Sequence, residues 1–236
     1  LATIEQHNNS DRINIAIDGP AGAGKSTVAR RVASLLGYVY IDTGAMYRAV
    51  TLAAQRSGIG TSREDLLAEL VSNLDITLKP GDPVQRVFLN GEDVTGLIRS
   101  REITAGVSAV AAVEPVRTSL VDKQRKLALA KGVVMDGRDI GSHVLPDAEL
   151  KVFLTASVEE RAKRRYKESG AEQGYTLEQL EREIAERDRM DEQRLVSPLV
   201  KAKDAVLLDS TNDTIDEVVQ RILELSRGRI AEANSQ

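Results

Sequence analysis

A chain that carries Gly19-Pro20-Ala21-Gly22-Ala23-Gly24-Lys25-Ser26 has few ways to fold around it. The octet fits G-x-x-x-x-G-K-[ST], a phosphate-cradling loop that needs a strand before it and a helix after it. Ile13-Asn14-Ile15-Ala16-Ile17 is short and β-branched, as a buried strand is. From Thr27 to Leu36, Val28, Val32, Leu35 and Leu36 share one helical face, and Gly37 is placed to stop the helix. Glycines let the backbone curl until its N–H groups point inward, and the helix N-terminus adds partial positive charge. The motif assigns Lys25 to β- and γ-phosphates and the Ser26 hydroxyl to Mg²⁺. A Gly-rich turn that only caps a helix is the alternative, and the full motif with both flanking elements weighs against it. A nucleoside triphosphate site follows, built from Gly19, Pro20, Ala21, Gly22, Ala23, Gly24, Lys25, Ser26 and Thr27.

The inventory of residues narrows the chemistry. The chain has 236 residues, enough for one core with insertions, and no cysteine, which removes disulfides and thiolate metal sites. His7 and His143 are the two histidines, too few for a histidine-rich metal centre or a Ser-His-Asp triad. A net charge of -4 and a pI near 5.4 argue against a nucleic-acid polymer as partner. No apolar run reaches the ~18 residues of a membrane span. The reading therefore expects small-molecule substrates, no membrane, a cytoplasmic location consistent with the missing cysteines, and a monomer.

Along the chain, further strands are expected at Tyr38–Ile41, Val133–Met135, Leu150–Leu154 and Ala205–Leu208, with helices between them. That alternation predicts an α/β fold: a five-stranded parallel sheet with helices on both faces. Helices are expected at Ala49–Arg56, Arg63–Leu74 with Ser62 as cap, Ile103–Val113, Pro115–Ala130 and Ile215–Arg227. Between Asp75 and Thr95 the texture changes to short alternating runs around Asn90-Gly91, a small antiparallel meander. From Ser157 to Arg194 charge of both signs is dense, which reads as a solvated helix pair with a minority of residues doing chemistry. The division expected is a flexible tail at 1–11, core at 12–69, 108–156 and 196–227, an insertion at 70–107, a lid at 157–195 and a second flexible tail at 228–236.

In open α/β sheets ligands bind at the carboxyl ends of strands. Besides the glycine loop, two polar clusters fall at strand ends: Asp42 to Arg48, and Asp136 to Asp139. Thr43 with Arg48 can supply a hydroxyl and a bidentate guanidinium to an anion, and Arg138 offers a second guanidinium. Asp42-Thr43 equally reads as a plain helix cap, and Asp136 to Asp139 as a polar turn.

Taken together, Asp42-Thr43-Gly44-Ala45-Met46-Tyr47-Arg48, Asp136-Gly137-Arg138-Asp139-Ile140-Gly141, and Glu186-Arg187-Asp188 through Asp191 to Arg194 resemble the bacterial cytidylate kinases. The resemblance runs from Arg12 to about Leu225 and includes the insertion. It implies a P-loop kinase fold with a CMP-binding insertion and a mobile helical lid, and transfer of a phosphoryl group from ATP to CMP or dCMP. By position, it implies that Thr43, Arg48, Arg138 and Arg187 hold the CMP phosphate, Ser108, Arg117 and Asp139 read the cytosine edge, and Asp191 with Arg187 meets the sugar. Lys25, Arg138, Arg187 and Arg194 become the catalytic cations, with Arg161 and Arg164 as further lid arginines facing the transferring phosphoryl. Ser26 would hold Mg²⁺, and Asp136 would orient one of its waters.

These residue types suit the reaction. A phosphate monoester has a second pKa near ~6, so it is largely a dianion at neutral pH and needs no general base. The barrier lies in bringing two polyanions together, which calls for cations and positioning. Water competes as nucleophile, and a lid closing from 157–195, with Gly170 and Gly174 freeing its tip, would exclude it. Cytosine recognition, which rests on the resemblance, would leave buried groups unpaired against uracil at about 1–3 kcal/mol each. Rival readings are a P-loop kinase for shikimate, AMP or another small acceptor, and a nucleotide switch. The switch lacks an Asn-Lys-x-Asp guanine-reading segment.

Overall fold

The computed structural model describes residues 12–81, 84–170 and 174–233, so the expected tail at 1–11 lies outside it. Its centre is β1 (Asn14–Asp18), flanked by β6 (Val133–Gly137) and β7 (Leu150–Thr155), with β2 (Val39–Asp42) and β8 (Val206–Asp209) outside them. The order is β2-β6-β1-β7-β8, and all four pairings are parallel. β1 and β6 are buried at every position, which a strand covered on both faces requires. Ile13, Ile15 and Ile17 point to the face covered by α1 (Lys25–Leu36) and α8 (Ile215–Ala233). Ala16 and Met135 point to the other face, where Val121 and Ala128 of α5 (Glu114–Ala128) meet them.

The expected elements recur with shifted ends. α2 (Thr43–Arg56) begins six residues before Ala49 because Asp42 caps it, accepting from the Ala45 N–H at 2.9 Å. α8 runs six residues beyond Arg227, so residues 228–233 of the expected second tail are helical. α3 (Glu64–Asn73) follows Arg63, which takes the cap position expected of Ser62. A three-stranded antiparallel sheet follows: β3 (Ile76–Lys79), β4 (Arg86–Leu89) and β5 (Glu92–Asp93). Asn90 and Gly91 both have positive φ, 50° and 83°, as a tight Asn-Gly hairpin turn demands.

The insertion is not walled off from the core. Val87, Leu89, Val94 and Ile98 are buried in one cluster with Met46, Val50 and Ala53 of α2, and with Ile103 and Val107 of α4 (Arg101–Ala111). The expected boundaries at 70 and 107 fall inside α3 and α4. The segment 157–195 carries α6 (Val158–Arg165) and α7 (Leu177–Gln193). Their own core is small: Ala162, Tyr175, Leu180 and Ile184. A capping box between Thr176 and Gln179 starts α7, and the Arg101 guanidinium lies 4.6 Å from the centre of the Tyr175 ring.

Packing of the sheet face makes a direct test. Leu154 of β7 is fully buried, whereas Leu207 of the edge strand is 57% exposed. Leu154→Ala should lower the unfolding free energy in urea by about 2–5 kcal/mol through the cavity it leaves. Leu207→Ala should change it by less than about 0.5 kcal/mol.

Candidate active site

Because the main strands are parallel, the loops after β1 and β6 and the start of α2 after β2 leave the sheet at one edge. They open on a cleft of 630 Å³ closed from the other side by α4, α5, α6 and α7. The glycine loop supplies Ala21, Gly22, Gly24, Lys25, Ser26 and Thr27 to its wall, while Gly19, Pro20 and Ala23 do not line it. Gly19 has φ 146°, and a Cβ there would collide with the carbonyl oxygen of Leu154. α1 begins at Lys25, so its unpaired N–H groups face the cleft.

Lys25 folds back and donates to the Pro20 carbonyl at 2.6 Å. Burial, then the neighbouring Arg138, pushes its pKa well below the ordinary lysine value. Ser26 Oγ donates to Asp136 Oδ2 at 2.8 Å, and the Tyr40 hydroxyl donates to Oδ1 at 2.9 Å. Burial, then the nearby Asp42, raises the Asp136 carboxyl above its ordinary range. Ser26 and Asp136 thus present two oxygens side by side, on a carboxylate destabilised as an isolated anion. That pair fits a hard divalent cation completed by phosphate oxygens and water. Among the described residues no group of three or more His, Cys, Asp or Glu side chains could hold a metal by itself.

The second half of the cleft is guanidinium-rich. Arg48 donates to Thr104 Oγ1 at 2.7 Å, and burial pushes it down to about 10. Arg187 is pushed down to about 9 by burial first, then by Arg138 and Arg48, and its Nε is buried without a partner. Arg138 Nε donates to Asp191 Oδ2 at 2.8 Å, and Ser108 Oγ donates to Asp191 Oδ1 at 3.3 Å. Burial opposes ionisation of Asp191, but Arg138 and Arg187 outweigh it and hold its pKa low. Arg187 and Asp191, four apart near the end of α7, share the helical face turned to the cleft, and Arg194, the extended residue that follows the helix, lines it too. Thr43 lines the cleft, yet its hydroxyl proton is donated to the Asp136 carbonyl at 2.7 Å. A hydroxyl has one proton, so Thr43 offers the cleft an acceptor and not the donor expected of it.

Deeper in, Arg117 and Asp139 form a buried ion pair, with side chains 2% and 5% exposed. Arg117 also donates to the Ala111 carbonyl at 3.1 Å. Arg194 joins this pair: its Nη2 lies 3.4 Å from Asp139 Oδ1 and its Nε donates to the Ser197 carbonyl at 2.5 Å. The expectation that Arg194 faces the phosphate end therefore differs from its placement beside Asp139. Arg161 does not line the cleft. It donates to the carbonyls of Ala21 and Ala156, each at 2.9 Å, and to Asp188 at 2.6 Å, fastening α7 to the glycine loop. Arg164 lines the cleft but is held by Glu160 at 3.0 Å and Ser210 at 3.1 Å.

Several residues in the cleft or directly behind it carry no motif of their own. Tyr40 is one. Gln85 is another: its amide accepts from the Asp42 N–H at 3.1 Å and donates to the Tyr40 carbonyl at 2.5 Å, closing the open edge of β2. Asp18 ends β1 and accepts two backbone N–H bonds; burial pushes it up to about 6 against them. Only its position at a strand end beside the glycine loop could have singled it out.

Comparisons with known proteins bear on the cleft as a whole. The family model for cytidylate kinases matches residues 15–228. The cytidylate kinase of Exiguobacterium sibiricum is 57% identical over 220 residues, 93% of this chain and 99% of the relative. That of Leuconostoc mesenteroides is 53% identical over 218 residues, 92% of this chain and 97% of the relative. Among solved structures, an uncharacterized protein from Eubacterium ventriosum superposes with a TM-score of 0.51 at 12% identity, covering 92% of this chain and 99% of its own, a likeness of fold alone.

The buried pair under the cleft is open to measurement. Arg117→Met removes one partner and leaves Asp139 with the more distant Arg194 alone. Urea unfolding should show a loss of about 3–5 kcal/mol; a loss below about 1 kcal/mol would mean that the pair is not desolvated as described.

Proposed function

The chain belongs to the cytidylate kinase family, and from that premise we propose how its cleft moves the γ-phosphoryl group of ATP to CMP or dCMP. ATP enters by its triphosphate at the glycine loop, where the N–H groups of α1 and Lys25 meet the phosphates. Ser26 and Asp136 are the residues that would hold Mg²⁺. When bound, the ion neutralises charge on the donor's phosphate oxygens.

The acceptor lies opposite. Arg48, Arg138 and Arg187 take its phosphate, Asp191 takes the sugar with Arg187, and Ser108, Arg117 and Asp139 face the base. Arg194, paired with Asp139, supports the base end in this arrangement. One observation carries the reading: Arg187 is a guanidinium with a buried, unpartnered Nε whose pKa is depressed by burial and by two neighbouring arginines. Such a site is short of negative charge, and a phosphate dianion in reach of the donor loop supplies it.

The acceptor oxygen is already deprotonated at neutral pH, so the protein has no proton to remove. Among the described residues the one histidine, His143, does not line the cleft, in keeping with this. What the residues contribute is alignment of two phosphates and positive charge where the transition state spreads negative charge. The lid role of 157–195 is supported by its thin core and by the arginines it turns inward, and closure would exclude water as rival acceptor.

An acceptor panel tests the reading: CMP, dCMP, UMP, AMP and shikimate with ATP, scored by ADP release. CMP and dCMP should turn over fastest; faster turnover with AMP or shikimate would overturn the assignment. Arg138→Ala should raise KM for CMP on the order of 10–100-fold, with KM for ATP within about twofold. Equal effects on both nucleotides would remove Arg138 from the acceptor site.

A further inference from the structure

Arg138 and Asp139 lead directly into a helical turn, Ile140–Val144, whose first N–H groups need acceptors. Asp139 stands at the cap position of that turn. An aspartate there ordinarily bends its carboxylate back onto the second or third N–H. Asp139 makes no such bond. Asp18 serves the first two donors of the turn: one of its oxygens accepts from the Ile140 N–H at 2.8 Å, and the other from the Gly141 N–H, the second, at 2.7 Å. The cap comes from a residue 122 positions away in the chain. Elsewhere the turn is held at its far end, where Arg125 donates to the carbonyls of His143 and Val144 at 2.8 and 3.0 Å. Asp18 itself is 4% exposed and does not line the cleft.

We infer that Asp18 is the positioning residue that keeps the Asp139 carboxylate in the base pocket: by capping the turn in Asp139's place, it leaves Asp139 to pair with Arg117 and Arg194 and to face the ligand. The inference rests on the reading of Asp139 as a base-contacting carboxylate. With the Asp18 carboxylate gone, the Ile140 and Gly141 N–H groups lose their acceptor, and Asp139 at the cap position is the carboxylate placed by chain geometry to serve Gly141. Turning back to serve it takes Asp139 out of the pocket. The donor side has fastenings of its own, Lys25 on Pro20 and Arg161 on Ala21, so the disturbance stays with the acceptor.

The test is a double-mutant cycle. Steady-state kinetics with CMP, UMP and ATP are measured for Asp18→Asn, Asp18→Ser, Asp139→Asn and the Asp18→Asn/Asp139→Asn pair, with thermal melts to establish folding. Asp139→Asn should reduce the preference for CMP over UMP on the order of tenfold, and both Asp18 variants should do the same with KM for ATP within about twofold. The pair should lose no more selectivity than either single change. Additive losses, or full selectivity in a folded Asp18 variant, overturn the positioning role while leaving the base pocket standing. Failure of both Asp18 variants to fold assigns the carboxylate to stability alone and likewise overturns it. Unchanged selectivity in Asp139→Asn instead sinks the base-pocket reading, and the inference with it.

Discussion

Lys25, Arg48, Arg138 and Arg187 converge at one end of a parallel sheet, where burial and their own repulsion depress three of the four. Asp191 answers Arg138 at 2.8 Å, and none of the described residues hydrogen-bonds Arg187 Nε. Packing cations this closely opposes folding, because each is taken from water without full compensation. The rest of the fold must hold them there against that cost. On the proposed reading, two phosphate groups would reverse the sign of the interaction and turn that cost into affinity for polyanions.

The holding is done by elements that are themselves well buried. β1 and β6 are covered on both faces, and each ends in a loop that contributes to the cleft. Several bonds then cross between parts far apart in the chain. Arg161 links α7 to the glycine loop, Gln85 links the insertion to β2, and Asp18 links the end of β1 to the turn after β6. Donor and acceptor sides are therefore anchored to the same strands and differ in which loop they use. The reaction proposed above, by alignment and charge, would need that rigidity, since a small misplacement of either phosphate is costly in rate.

The two ends of the proposed acceptor site differ in how tightly their charges are held. At the end assigned to the phosphate, Arg48, Arg138 and Arg187 share Asp191, an excess of positive charge that would favour any dianion and discriminate weakly. Deeper in, Asp139 lies between the guanidiniums of Arg117 and Arg194, and all three side chains are nearly enclosed. A set of donors and acceptors fixed in direction rejects a ligand whose own pattern leaves one of them unpaired. On the proposed reading, binding strength and selectivity would reside in different residues of the cleft.

Local pattern alone was enough for the strand–loop–helix around Lys25, the Asn90-Gly91 hairpin, the parallel α/β class, and the strand-end location of Thr43, Arg48, Arg138 and Asp139. Those features depend on helical and strand periods, on positive φ at particular glycines, and on where a strand stops, all of which neighbouring residues decide. The strand order, the merging of the insertion with α2, and the partner of each buried charge were decided only in three dimensions. Arg161 reads in sequence like Arg164 or Arg187, and its role as a tether depends on a carbonyl 140 residues away. Thr43 reads as a donor until the Asp136 carbonyl takes its proton, and Asp18 reads as a strand end until two N–H groups from another loop reach it. A charged or polar side chain advertises its capacity locally, but the atom that satisfies it is chosen by the packing of the whole chain.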